Sequence, residues 1–129
     1  ASITELIDLY PTLADLARLR APKILEGKSL IPILDDPTAS IKPAAFTQHP
    51  RPAYYRGRPD VMGVSVATSE FRYTEWRDFK TGRPTATEFY DHTGDLAETR
   101  NTAADAGNRS KITTAKSLLS TAFKRLPNR

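Results

Sequence analysis

The chain has no cysteine among its 129 residues. Disulfide bonds, thiolate nucleophiles and cysteine-ligated zinc sites are therefore excluded from it. Histidine is scarce as well, and two such residues leave little choice for a serine, histidine and acid arrangement. No apolar run approaches the ~20 residues of a membrane-spanning helix. No basic-then-apolar leader opens the chain, so no export signal is visible and we expect no membrane partner.

Glycine is also sparse relative to proline, with six residues against ten, which indicates short elements joined by irregular chain. The length gives room for one domain with one core. Lysine and arginine exceed aspartate and glutamate by 19 to 15, for a net charge of +4. This charge fits either an ordinary soluble surface or attraction to an anionic partner, such as a sulfated sugar or a phosphate backbone.

The first segment with a clear pattern is SITELIDLYPTLADLARL, which predicts a helix. Its leucines recur at helical spacing at Leu6, Leu9, Leu13 and Leu16. Ser2 and Glu5 fit a capping box, and Asp8 is an alternative cap. Because Pro11 lacks a backbone N–H, it belongs in the first turn, and the regular helix is expected to begin near Leu6 or later. A further turn of helix is predicted over residues 29–34.

Later segments carry strand signals in AAFTQH, VMGVSVAT, FRYTEW and TEFYDH. Met62, Val64 and Val66 alternate onto one face, and the second and third segments are expected to form a hairpin. The tail supplies a helical stripe of Ile112, Ala115, Leu119, Ala122, Phe123 and Leu126. The predicted fold class is α+β, with a small antiparallel sheet of about four strands covered by the C-terminal helix.

Short motifs for chemistry are weak. The stretch EGKSL ends like a phosphate-binding loop, but Pro22 stands where that loop needs its first glycine. The pairs Asp35-Asp36 and Asp91-His92 could suggest a metal, yet both sit where a turn or an element end is expected. The segments YYRGR and FRYTEWR could stack on bases, although a sheet with one aromatic and one charged face explains them better. Nothing in these motifs identifies an enzyme.

Several stretches, taken in order, resemble the C-terminal end of a sulfatase of the iduronate-2-sulfatase-like branch. ELIDLYPTLADLARL resembles the family helix Glu-Leu-Val-Asp-Leu-Tyr-Pro-Thr-Leu, and LEGKSLIPILDDP resembles the segment after it. AFTQHPRP resembles Gln-Tyr-Pro-Arg-Pro, and MGVSVATSEFRYTEW resembles Met-Gly-Tyr-Ser-Ile-Arg-Thr followed by Tyr-Arg-Tyr-Thr. TEFYDHTGDLAETRN resembles Glu-Leu-Tyr-Asp-His with a later Glu-Thr-x-Asn. Each match is weak alone, but together they run in family order from about Glu5 to Asn101.

The resemblance implies a nucleophile that this chain lacks. Sulfatases carry a Cys-or-Ser, x, Pro, x, Arg motif whose first residue is oxidised to formylglycine beside a divalent cation, and no serine here is followed by that pattern. Calcium and formylglycine are thus implied for a missing catalytic domain, with no cofactor in this chain. Asp91 and His92 fall far after the family's metal pair, so we assign this chain no catalytic residue and no metal ligand.

The resemblance further implies that residues 1–43 end an α/β sulfatase catalytic domain, into which the first helix packs, and that residues 44–129 form a C-terminal subdomain. The full protein would be a sulfuric ester hydrolase acting on a sugar or glycosaminoglycan-like substrate. Its expected partners are the rest of the catalytic domain and a sulfated carbohydrate, with nucleic acid not expected. The family suggests an extracytoplasmic compartment, whether periplasmic, secreted or lysosomal. The alternative is a non-catalytic basic binding module for anionic glycans or nucleic acid.

The candidate substrate-binding residues are Gln48, His49 and Arg51, in the stretch that resembles Gln-Tyr-Pro-Arg-Pro. Pro50 favours an extended backbone at His49 and fixes where these side chains point. Arg51 could pair with a protein carboxylate or with an anionic sugar. An ion pair to the missing catalytic domain is the favoured interpretation, while His49 could be a packed strand residue or lie at the lip of a pocket.

Overall fold

The computed structural model of the chain describes residues 2–54 and 57–123. Two compact units make it up, Ala1–Ala45 and Phe46–Arg129. The assignment of residues 1–43 to a catalytic domain and of residues 44–129 to a subdomain concerns the whole protein and stays a prediction. Within the described residues, no helix combines the length and the apolar character that a bilayer crossing demands.

The first unit contains two short helices. A 3-10 turn over Leu6–Asp8 leads directly into α1, Leu9–Leu16, and α2 spans Ile31–Asp35. Pro11 lies in the first turn of α1, as its missing N–H requires. Helix α2 overlaps the turn of helix predicted over residues 29–34.

The cap of the first helical segment differs from the predicted Ser2–Glu5 box. The box is formed by Glu5 and Asp8, and the Glu5 N–H donates to Asp8 Oδ2 at 2.8 Å. Ser2 instead donates its hydroxyl to the Ala39 carbonyl oxygen at 2.6 Å. The predicted box is wrong because the chain turns at Leu6–Asp8, which moves the cap three residues along the sequence.

The second unit is built on a four-stranded antiparallel sheet. Its strands are β1 (Ala45–Arg51), β2 (Val61–Ala67), β3 (Phe71–Asp78) and β4 (Pro84–Asp91). Their spatial order is β1-β2-β3-β4, so β1 and β4 are the edges. Strands β2 and β3 form the predicted hairpin, with Val66 opposite Tyr73 and Val64 opposite Glu75.

A C-terminal helix, α3 (Arg109–Ala122), packs on β2 and β3. The apolar core between them is buried to 5% exposure or less and comprises Val64, Val66, Phe71, Tyr73, Phe89, Ala115 and Leu119. This arrangement confirms the α+β prediction and the covering helix. Ala122, expected on the same stripe, is exposed, and Leu126 lies outside the described residues.

Candidate functional site

The three candidate residues lie on the edge strand β1, and all three are exposed. Successive residues of a strand point to opposite faces. Phe46 meets Phe123, just after α3, with ring centroids 6.0 Å apart, so the even-numbered residues of β1 face the helix. Gln48 shares that face, whereas His49 and Arg51 share the outer face. The structure thus brings His49 and Arg51 together and separates Gln48 from them.

Arg51 makes a cation–π contact that the sequence did not reveal. Its guanidinium carbon lies 4.1 Å from the centroid of the Trp76 ring, on the outer face of β3. A cation within about 6 Å of an indole face is attracted by the negative charge of that face. Trp76 is therefore a platform that fixes the direction of the Arg51 side chain.

The Trp76 ring is itself held by its neighbours in the sheet. Gly63 lies opposite Trp76, and a Cβ added to Gly63 would come within 2.8 Å of the ring. The indole N–H donates to Glu88 Oε1 at 2.7 Å, and the Tyr90 hydroxyl donates to Glu88 Oε2 at 3.1 Å. Burial, and then the Glu88 carboxylate, raise the pKa of Tyr90.

Gly63, Trp76 and Glu88 were not singled out from the sequence. A usable signal existed, because a glycine inside an apolar alternating strand indicates a close approach by another group. The approaching group could not be named without the register that sets Gly63 opposite Trp76.

The last residue of β4 is joined to α3, and the loop after β4 is joined to β3. Asp91 accepts from Lys111 Nζ at 2.7 Å, and this hydrogen bond, followed by one from the Thr93 N–H, lowers the pKa of Asp91. Glu98 Oε1 lies 2.8 Å from Arg72 Nε and 2.9 Å from His92 Nε2. Burial alone would raise the pKa of Glu98, but these two partners outweigh it and lower the pKa. Asp91 and His92 are thus engaged in separate structural pairs.

A shallow, open depression of about 500 Å³ lies beside these pairs. Its lining comprises Asp91, Thr93, Gly94, Asp95, Thr99, Arg100 and Thr102. The Asp95 carboxylate accepts hydrogen bonds from the Thr99 hydroxyl and the Arg100 N–H, at 3.1 and 2.9 Å. The carboxylates of Asp91 and Asp95 therefore accept hydrogen bonds from the loop that follows β4 and stabilise its conformation.

The donor set for the implied cofactors does not fit this chain. Residues 2–54 and 57–123 contain no group of three His, Cys, Asp or Glu side chains that could hold a metal ion. The sequence also lacks cysteine and has no serine in the formylglycine motif. No catalytic step can therefore be assigned to a formylglycine or a calcium ion held by these residues.

A buried ion cluster holds the first unit together. Asp8 is fully buried, and its Oδ1 accepts from Lys42 Nζ at 2.6 Å and from the Lys28 N–H at 2.8 Å. Lys42 Nζ also lies 2.7 Å from Glu5 Oε2. Burial alone would raise the pKa of Asp8, but the bonds from Lys42, Lys28 and Glu5 outweigh it and lower the pKa. These bonds tie Glu5, Asp8, Lys28 and Lys42 to one another, so the cluster has a structural role.

The same unit exposes a large amount of apolar surface. Its exposed large apolar side chains, with exposures from 51% to 88%, are Leu6, Ile7, Leu9, Tyr10, Leu13, Leu16, Leu19, Ile24 and Leu34. We call the part of this set on and beside α1, residues 6–19, the α1 apolar face. Contiguous exposed apolar surface normally marks an interface.

Two curated proteins resemble the chain over most of its length. Arylsulfatase K of Gallus gallus is 28% identical over 80% of this chain, and iduronate 2-sulfatase of Homo sapiens is 30% identical over 73% of it. These matches occupy 19% and 22% of the two relatives, so the chain spans about a fifth of their length. No family model matches the chain.

Solved structures show the same fold. BT4656, in complex with its substrate D-glucosamine-2-N,6-O-disulfate, superposes over 95% of this chain with a TM-score of 0.73 and 23% identity. A candidate sulfatase from Bacteroides thetaiotaomicron superposes over 92% with a TM-score of 0.75 and 26% identity. The matched parts are 25% and 24% of those chains.

Proposed function

We propose that this chain, which belongs to the sulfatase family as its C-terminal segment, completes an enzyme that hydrolyses sulfate esters. The observation that carries the proposal is the similarity to arylsulfatase K and iduronate 2-sulfatase over 80% and 73% of the chain. The four-stranded sheet with its covering helix supports it, because solved structures with TM-scores above 0.7 share this arrangement.

In this proposal the segment does not perform the chemical step. Sulfate ester hydrolysis needs an activated nucleophile and groups that stabilise charge on the sulfuryl oxygens. The rest of the protein supplies both, together with the formylglycine and calcium that the family resemblance implies. The segment completes the fold and walls part of the substrate pocket with the outer face of its sheet, where His49 and Arg51 lie.

The substrate class we propose is a sulfated sugar or a glycosaminoglycan-like chain. One curated relative is an iduronate 2-sulfatase, and BT4656 binds a glucosamine disulfate as its substrate. The net charge of +4 favours an anionic partner. We place the complete protein in the iduronate-2-sulfatase-like branch and in an extracytoplasmic compartment on the strength of the family resemblance.

The partner we propose for the α1 apolar face is the rest of the sulfatase. All seven of its side chains are more than half exposed, among them the five leucines Leu6, Leu9, Leu13, Leu16 and Leu19, although helices with such a stripe normally bury it. The curated relatives are about four times as long as this chain, and that additional protein is the surface against which the face can pack.

The test compares the complete protein with the 129-residue chain, both assayed on a chromogenic aryl sulfate with calcium present. We expect turnover by the complete protein and none by the chain above a heat-treated control. Deleting this segment from the complete protein should abolish activity or solubility. Turnover by the chain alone, or an upstream coding region without the Cys-or-Ser, x, Pro, x, Arg motif, would contradict the proposal.

A further inference from the structure

We propose that Arg51, stacked on Trp76, is an oxyanion-binding group that takes a sulfate or carboxylate of an acidic saccharide. This assignment rests on the proposed function and names a contact that the pocket wall would make. The guanidinium carbon of Arg51 lies 4.1 Å over the indole ring. A guanidinium group held by cation–π attraction gives no N–H to a protein acceptor through this contact, so its donors remain for a ligand.

The outward edge of Arg51 is available to a ligand. Arg51 is exposed, and no other residue in the ranges 2–54 and 57–123 forms a hydrogen bond or ion pair with its side chain. A guanidinium edge matches a carboxylate or a sulfate with two parallel N–H···O bonds. The group therefore has both the geometry and the charge that an oxyanion requires.

The platform beneath Arg51 is rigid. Gly63 lets the Trp76 ring lie flat on β2, and Glu88 fixes the indole N–H at 2.7 Å. Arg51 is thereby oriented before a ligand arrives, which reduces the conformational entropy lost on binding. His49 lies two residues earlier on the same face of β1 and adds a second polar side chain to this surface.

The surroundings of Arg51 favour a saccharide over a protein carboxylate. In the described part of the second unit, the exposed large apolar side chains are Tyr54 and Leu96, and neither lies on a strand. Buried protein interfaces have apolar centres that are depleted of charge. The outer face of the sheet carries no exposed large apolar side chain among the described residues, so we propose the sugar contact in place of the ion pair to the catalytic domain that the sequence favoured.

The test measures binding of two oligosaccharides to the complete protein by titration calorimetry. Keratan sulfate oligosaccharides carry sulfate without uronate, and hyaluronan oligosaccharides carry uronate without sulfate. We expect Arg51→Gln to weaken binding of one or both probes at least tenfold, since a charged hydrogen-bond pair is removed. Arg51→Lys should recover little, and Trp76→Phe should weaken binding less than Arg51→Gln because a ring remains beneath the guanidinium.

The matched control is Arg83→Gln, which removes the same charge from an exposed residue between β3 and β4. We expect its affinity to stay within twofold of the wild type. Equal losses in Arg51→Gln and Arg83→Gln would overturn the proposal, since net charge alone would then explain binding. Unchanged affinity of Arg51→Gln, with or without a lower Tm, would also overturn it. Binding can be measured without turnover, so the two proposals can fail separately. If the complete protein shows no sulfatase activity but Arg51→Gln still weakens oligosaccharide binding, the sulfatase proposal is refuted and the proposal for Arg51 is supported.

Discussion

At the scale of single residues, the Asp8 carboxylate accepts hydrogen bonds from the Glu5 N–H at the start of the helical segment and from two distant residues, Lys28 and Lys42. We expect Lys42→Met to cost about 3–5 kcal/mol of the free energy of unfolding, because it leaves the fully buried Asp8 charge without its cation. The measurement is urea denaturation followed by circular dichroism. Lys23→Met, at an exposed position, is the control and should change stability by less than about 0.5 kcal/mol.

The ion pair between Asp8 and Lys42 stabilises the first unit only over a defined range of pH. The pKa of Asp8 is lowered in the folded state. Its contribution to the free energy of unfolding is therefore fully present above the unfolded pKa of about 4 and is lost as the pH falls below it. Burial alone would lower the pKa of Lys42, but Asp8 and Glu5 raise it, so that contribution is lost only as pH rises beyond about 10.5. Hydrogen exchange at the Glu5 and Lys28 amides should accelerate, beyond its intrinsic pH dependence, below about pH 4. Protection that persists at pH 2 would contradict this.

Gly63 tests the platform beneath Arg51. Gly63→Ala should destabilise the second unit by about 1–3 kcal/mol, because the new methyl group would lie 2.8 Å from the Trp76 ring. Trp76 is the sole tryptophan, so its fluorescence should report the displaced ring directly. Gly94→Ala adds a methyl group where no atom lies within 4 Å and should leave the spectrum unchanged.

At the scale of elements, alternation and helical spacing were sufficient to predict the strands and α3. All four segments became strands, and Ala115 and Leu119 of the predicted stripe are fully buried. The alternation of side chains along a strand puts Glu75 on the same face of β3 as Phe71 and Tyr73, and Glu75 is 5% exposed there. Its partners are the two neighbours on that same face: Tyr73 donates to Glu75 Oε1 at 3.0 Å, and Arg77 donates to Oε2 at 2.6 Å.

Helix α3 depends on one side chain in particular. Leu119→Ala should cost about 2–5 kcal/mol, since Leu119 is fully buried and the sheet cannot close the space left behind. Leu118→Ala, at the half-buried neighbouring position, should cost distinctly less. Urea denaturation followed by Trp76 fluorescence compares the two, and equal losses would show that α3 is not held through Leu119.

At the scale of the whole molecule, sequence similarity identified the family, whereas the candidate site was only partly predictable. Arg51 was recognised from its resemblance to a family stretch, but its contact with Trp76 depends on three strands that meet only in the folded sheet. By contrast, the leucine spacing and the family resemblance predicted that the α1 stripe packs on the missing catalytic domain and is exposed without it, and Leu13 on that stripe is 65% exposed.

We expect the isolated chain to self-associate and to bind a hydrophobic dye through the α1 apolar face. Leu13→Lys should reduce both effects without loss of helical circular dichroism, because Leu13 is exposed in the first unit. Analytical ultracentrifugation measures the association. Thr113→Lys, on an exposed position of α3, is the control and should leave association unchanged. A wild-type monomer that binds no dye would contradict a docking role for this face.

The spacing of the Asp8 cluster sets an order of events on the ribosome. Asp8 binds the Lys28 amide 20 residues later and the Lys42 ammonium 34 residues later. At roughly 5–20 residues per second, those 34 residues take about 2–7 seconds to synthesise. During that interval water, rather than an ammonium group, solvates the Asp8 carboxylate. The ion pair that holds the first unit together therefore forms only after Lys42 has been added to the chain.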